Sequence, residues 1–220
     1  YVKACRQAPF FLYLKNTLFI AFFCVVGTVL TGSLGAYAFA RLRWPGRDWI
    51  FLILLSTLMV PWQVTMVPTY LLFKYLHCIN TFYPLTVPAF FGGGAFFVFL
   101  MRQFFKTLPR ELEEAALLDG ASYLQIYYGI ILPLSKPVLA TVAIFSFLGA
   151  WNDFLGPLIY LNDPSKYTLQ IGLQVFKQDF QTNWTGLMAM STLIILPCLV
   201  IFFLAQRQFV KGIVLTGVKE

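Results

Sequence analysis

Apolar residues run along this chain in blocks of twenty or more, separated by short polar or basic stretches. A helix needs ~20 such residues to cross ~30 Å of hydrocarbon. Five blocks reach that length: 16–40, 49–76, 84–105, 135–157 and 186–205. The second is interrupted by Pro61 and Pro68, which remove helical donors. The pattern predicts an all-α polytopic membrane fold with five transmembrane helices in a single domain, 1–220. Thr28, Gly32, Ala36 and Ala40 recur every four residues and predict a ridge of small side chains for close helix packing. Gly92, Gly93 and Gly94 open the third span and are read as a site of close packing more than as a hinge.

The connection 107–134 is polar and carries its own helix signals. Pro109 suits a first helical position, and Glu111, Glu113 and Glu114 place negative charge at the positive end of the helix dipole. Leu112, Ala115, Ala116 and Leu118 form an apolar face at helical spacing. Gly120 ends this helix, Ser122 can cap a second one reaching Tyr128 or beyond, and Pro133 stops it before the next span. An ordered loop of this length on a membrane protein points to function. An amphipathic helix on the lipid surface is the alternative, but anionic lipid would repel its acidic first turn.

Charge adds topology. Soluble domains carry about a quarter charged residues; this chain carries 11%. The net charge of +7 does not indicate nucleic acid, because the basic residues lie between apolar blocks. Alternate connections hold ten Lys and Arg (Arg41, Arg43, Arg47, Arg102, Lys106, Arg110, Lys136, Arg207, Lys211, Lys219) against six (Lys3, Arg6, Lys15, Lys74, Lys166, Lys177). The richer side is expected in the cytoplasm, which places 107–134 and the C-terminus there. Cys5, Cys24, Cys78 and Cys198 have no ligand-like spacing, and a Cys5–Cys78 disulfide has little support. His77 stands alone, so no metal site is expected.

The string Glu114-Ala115-Ala116, three residues, Gly120, nine residues, then Ile130-x-Leu132-Pro133 resembles the EAA loop of ABC importer permeases. Met59 to Thr65, Trp151-Asn152-Asp153-Phe154 and Phe209-Val210-Lys211-Gly212 extend the likeness to the carbohydrate-uptake branch, closest to the shorter permease of maltose-type systems. Trp62 departs from it, standing where relatives often have a small residue. The resemblance implies six spans, the first missing from this chain, which begins at Tyr1 without an initiator methionine. It further implies a bacterial inner-membrane protein with a second permease, two copies of a cytoplasmic ATPase and an extracytoplasmic binding protein as partners. ATP and Mg would be bound by the ATPase, not by this chain. The coupling residues implied are Glu111, Glu114, Ala115, Ala116, Asp119, Gly120, Ile130, Leu132 and Pro133. The tail 208–220 would insert between the ATPase subunits; a frayed end is the alternative.

No catalytic residue is expected. Gly212 to Lys219 has the outline of a P-loop but lacks its GK[ST] ending. Trp151, Asn152, Asp153, Gln63 and Thr65 are the candidate substrate-pathway residues. An acid at the end of an apolar span suggests function; an aromatic belt with Asp153 in water is the alternative. Consecutive helical residues point about 100° apart, so the three cannot all face one cavity. Asn152 and Trp151 are expected to face it, with Asp153 orienting a neighbour or capping the helix that follows. Gln63 and Thr65 could line a polar path or satisfy backbone freed by the prolines. The leading reading is a sugar-importer permease. Glycerol phosphate or a polyol is the alternative within the class. A secondary transporter or channel is the alternative outside it, disfavoured by the EAA loop and by the lack of an inverted repeat.

The charge count makes a topological prediction. On a cysteine-free background, cysteine in place of His77 or Asp163 should react with an impermeant thiol reagent in intact cells. Cysteine in place of Arg43, Glu114 or Lys211 should not, and labelling at 114 would reverse the topology.

Overall fold

In the computed structural model, residues 9–176 and 183–214 are described, with side chains given to residue 203 except that of Val175. The described residues form helices and turns, without a strand. The longest element near the start is α1 (Phe10–Arg41), at 32 residues. It is followed by α2 (Arg47–Ser56) with a 3-10 turn to Met59, and α3 (Trp62–Tyr75). Next come α4 (Tyr83–Thr86) with a 3-10 turn to Phe91, and α5 (Ala95–Thr107). A helix–turn–helix, α6 (Glu111–Leu118) and α7 (Tyr123–Ile126), continues through one π turn into α8 (Leu132–Leu134). Then follow α9 (Lys136–Asn152), α10 (Leu155–Tyr160), α11 (Leu169–Gly172) and α12 (Trp184–Val214).

Three stretches are individually long and apolar enough to cross a membrane: Phe10–Arg41, Tyr83–Thr107 and Trp184–Phe203. Two bent pairs raise the number to five, Arg47–Met59 with Trp62–Tyr75 and Tyr123–Leu134 with Lys136–Asn152. The expected second span, 49–76, is therefore not a straight crossing, because its halves meet at 100°. The cause is local. Val60 is extended (φ −85°, ψ 113°), the conformation forced on a residue before proline, and Pro61 starts a new helix. Pro68 sits inside α3 without breaking it. The expected fourth span, 135–157, is interrupted as well: α9 stops at Asn152, and Asp153 is extended.

Helix α1 is the axis of the bundle, packed along α9 and α5. The expected ridge lies on its inner face, with Thr28, Gly32, Ala36 and Ala40 all buried. A side chain at Gly32 would come within 2.8 Å of Met101 Cε and 2.9 Å of the Gly92 carbonyl oxygen. Lipid gives no hydrophobic force between helices, so such close contact is what holds them together. The glycine triplet serves packing and chain direction at once. All three residues have positive φ, which breaks the helix between Phe91 and Ala95, and a Cβ at Gly93 would overlap the Thr28 side chain.

Two buried clusters sit along the axis. One joins Ala36, Tyr37 and Ala40 of α1 to Val98, Met101 and Phe105 of α5 and to Ile126, Tyr127 and Ile131 of the helix–turn–helix. The other, toward the start of α1, holds Tyr13, Trp151, Leu169, Phe176, Leu187, Met190 and Ile194. There Asn16 Nδ2 donates to the carbonyls of Ser165 (2.9 Å) and Tyr167 (3.0 Å), and Thr17 Oγ1 accepts from the Leu169 N–H (3.0 Å). Cys24, Cys78 and Cys198 are free thiols, and Cys5 lies outside the described residues. The last residues of the tail, 215–220, also lie outside them.

Gly93→Ala should destabilise the bundle by about 2 kcal/mol or more, from a left-handed backbone and an overlap with Thr28. Gly35, where an added Cβ would meet nothing within 4 Å, is the control. Thermal melting of the purified protein in detergent should fall clearly for Gly93→Ala and stay near wild type for Gly35→Ala.

Candidate functional site

The helix–turn–helix is built by local chemistry. Leu108 is extended before Pro109, and Arg110 becomes the N-cap of α6. Pro109 thus lies one residue outside the helix rather than at its first position, because Leu108 ends α5 and the chain needs one more residue to turn. The three glutamates fall in the first turn as expected. At the other end the Gly120 N–H donates to the Leu117 carbonyl (3.0 Å) and the Ala121 N–H to the Ala116 carbonyl (2.9 Å). This is a Schellman termination, and Gly120 supplies the left-handed residue it requires, at φ +83°. Ser122 then opens α7 with a capping box: its N–H donates to Gln125 Oε1 (2.7 Å) and its Oγ accepts from the Gln125 N–H (3.4 Å).

The π turn at Tyr127–Ile131 has an identifiable cause. Pro133 cannot donate to the turn before it and its ring crowds the carbonyl of Gly129, so the helix widens upstream. Pro133 does not itself end the segment, which runs to Leu134 before the axis turns 79° into α9.

The two helices face different surroundings. On α6, Glu111, Leu112, Glu114, Ala115, Leu118 and Asp119 are exposed, Leu118 at 90%. Ala116 leans on the bundle core. On the second helix Ile126, Tyr127 and Ile131 are buried, while Ile130 and Leu132 pack against the same core from its edge and Pro133 is exposed. Ser33 Oγ gives its proton to the Val29 carbonyl (2.5 Å), so the Tyr127 hydroxyl donates to Ser33 Oγ at 2.6 Å. Tyr37 O–H donates to the Tyr123 carbonyl at 3.3 Å. The expected coupling residues therefore divide into an outward set on α6 and an inward set, Ile130 and Leu132, that anchors the segment.

One pair was missed by sequence reading. Arg41, the last residue of α1, forms an ion pair with Glu113 (3.0 Å), with side chains only 2% and 14% exposed. Its guanidinium also donates to the carbonyls of Phe105 and, at 2.6 Å, Leu108. Burial pushes the Glu113 carboxyl up, against the downward pull of Arg41 and Arg110. The signal was available: a basic residue closing the first span and an acid in the next polar segment. Nothing in their spacing paired them.

The five pathway candidates separate. A cavity of about 770 Å³ lies between α1, α3, the α4–α5 connection and α9, and Thr65 and Asp153 line it, together with Trp62. Gln63 is exposed and is not on its wall. Trp151 does not face it either. It is 1% exposed, stacked on Phe147 (5.3 Å, 22°), with its ring N–H donating to the Ile194 carbonyl (3.2 Å). A large ring is buried most favourably where its N–H finds a partner, here against α12. Asn152 is exposed but turns its amide back to the Leu148 carbonyl (2.9 Å). Asp153 caps the next helix: its Oδ1 accepts from the Gly156 N–H (3.0 Å).

Residues 17–214 match the family model described as binding-protein-dependent transport system inner membrane component. The chain is 37% identical over 204 residues to the arabinooligosaccharides transport system permease protein AraQ of Halalkalibacterium halodurans, covering 93% of this chain and 72% of that protein. It is 37% identical over 211 residues to the sn-glycerol-3-phosphate transport system permease protein UgpE of Yersinia enterocolitica, covering 95% and 74%. A crystal structure of a bacterial ABC transporter involved in the import of the acidic polysaccharide alginate superposes with a TM-score of 0.81 at 27% identity, covering 90% of this chain and 74% of that one.

Arg41→Gln should leave the Glu113 carboxylate uncompensated, at a cost of about 3 kcal/mol or more. The melting midpoint of the purified protein should fall. Adding Glu113→Gln should recover part of the loss, and no recovery would mean that Arg41 acts only through the two carbonyls.

Proposed function

The chain belongs to the family of binding-protein-dependent transport system inner membrane components, and from that premise we propose that it is the shorter permease of a sugar importer, coupling solute passage to ATP hydrolysis in a separate subunit. It is a permease subunit rather than an enzyme. The observation that carries the proposal is the division of the helix–turn–helix. Helix α6 presents Leu112, Ala115 and Leu118 outward, while one face of α7 and the π turn, Ile126, Tyr127 and Ile131, is buried among α1, α5 and α9. A partner seated on α6 therefore pushes on the bundle itself. Glu111, Glu114, Ala115, Asp119 and Gly120 supply the docking face, with Ile130, Leu132 and Pro133 at the pivot.

The remaining parts follow as a whole. The ten-to-six excess of basic residues puts α6 in the cytoplasm. There it meets one of two ATPase copies, which hold ATP and Mg. A second permease covers apolar faces left exposed on α2 and α3, such as Trp49, Ile53, Val64 and Leu71. An extracytoplasmic binding protein delivers the solute, and alternating access carries it past Thr65 and Asp153. The tail 208–220 reaches between the ATPase subunits.

The test is uncoupling at the turn. Gly120→Val forces a β-branched residue into φ +83°. In proteoliposomes holding the whole complex and its binding protein, ATP-driven uptake of labelled arabinotriose should fall about tenfold or more, with ATPase activity no longer stimulated by the loaded binding protein. Unchanged coupling in that variant would refute the docking role of this loop.

A further inference from the structure

The 770 Å³ cavity carries charge of a single sign. Among the described residues its walls include Asp153 but no lysine, arginine or histidine. Asp153 takes part in none of the ion pairs among the described residues, which join Arg41 to Glu113, Arg47 to Asp48, and Arg102 to Asp48. The carboxylate is held in place: Oδ1 accepts the Gly156 N–H (3.0 Å), and a Cβ at position 156 would overlap Oδ2. Glycine there is what gives this carboxylate room.

The hydroxyls on the wall add acceptors. Ser146 Oγ donates to Thr28 Oγ1 (3.3 Å), and Thr65 Oγ1 donates to the Trp62 carbonyl (2.9 Å). With those protons used within the protein, Ser146 and Thr65 have lone pairs to offer a solute. Trp62 and Phe97, on the same wall, add flat apolar surface.

We propose that this cavity passes uncharged, hydroxyl-rich solutes and rejects anionic ones, with Asp153 as the residue that sets the charge preference. The proposal rests on the importer reading and sharpens it, since the named relatives include both an arabinooligosaccharide permease and a glycerol-phosphate permease. A phosphate brings only acceptors and negative charge. Near a carboxylate without an ion-pair partner among the described residues, in a medium of intermediate dielectric, its occupancy falls by about tenfold or more. Sugar hydroxyls are donors and gain charge-assisted bonds from the same group.

The direct test reads the potential inside the cavity without depending on the binding protein. In the assembled, reconstituted complex on a cysteine-free background, cysteine replaces Thr65. It is then modified with cationic, anionic and uncharged methanethiosulfonates of similar size. The cationic reagent should react faster than the anionic one by about tenfold, after division by their rates with free cysteine. Asp153→Asn keeps the capping oxygen and the shape, so it should bring that ratio to within about twofold of one while the uncharged reagent reacts at its former rate. A ratio near one with Asp153 present, or one unchanged by Asp153→Asn, overturns the proposal. A second arm measures ATP-dependent uptake of arabinotriose and of sn-glycerol 3-phosphate by the complex with its binding protein. Uptake of the phosphate overturns the charge preference and leaves the importer reading intact. Loss of all ATP-linked uptake counts against the importer reading, while the modification ratio still decides what Asp153 does.

Discussion

The structure depends on one constraint: the inner face of the second helix of the helix–turn–helix, Ile126, Tyr127 and Ile131, is part of the bundle core. Tyr127 enters between α1 and α5, its ring packed 5.3 Å from that of Tyr37 and its hydroxyl bonded to Ser33. A buried phenol needs a partner for its hydroxyl, and Ser33 provides an acceptor because its own proton goes to the helix backbone. The Arg41–Glu113 pair fixes the first helix to the end of α1 as well. The loop is therefore held at both ends by α1, and force applied to it reaches the long axis of the bundle without passing through a flexible link.

That axis works by close approach. The small residues on α1 let α5 and the glycine triplet lie against it, where dispersion and not hydrophobic exclusion supplies the cohesion. The same economy leaves α2 and α3 lightly held. Arg102 of α5 holds α2 through its stack over Phe51 (3.8 Å), while its bond to the Phe39 carbonyl (3.2 Å) ties α5 to α1. The 100° bend at Pro61 then brings Trp62 and Thr65 to the cavity wall. A proline break within an apolar block thus serves to line a cavity, the setting in which interrupted helices are tolerated in membranes.

Much of this was legible in the sequence because it rests on local rules. The glycine turn, the Ser122 cap, the acidic first turn and the small-residue ridge each follow from a short string of residues. The family likeness was equally local, carried by the spacing from Glu114 to Pro133. What stayed hidden depends on tertiary partners. Trp151 reads as a pathway-lining or an interface-belt residue until Ile194 is known to accept its N–H, which makes it core. Asn152 and Gln63 are polar at plausible positions, yet direction along a bent helix cannot be read from spacing. The Arg41–Glu113 pair joins residues 72 positions apart, and only the fold of α5 between them brings the two together. Asp153 was legible as a cap, but its place on a cavity wall was set by the packing of α1, α3 and α9.

The central claim, that the loop and α1 move as one body, is open to a single distance measurement. Spin labels at Leu117 on α6 and Leu30 on α1, both exposed and neither on the docking face, report on that unit directly in the complete reconstituted complex. The label-to-label distance distribution should be the same with and without ATP, while distances from either label to the second permease shift. A nucleotide-dependent change between positions 117 and 30 as large as those intersubunit shifts would contradict it.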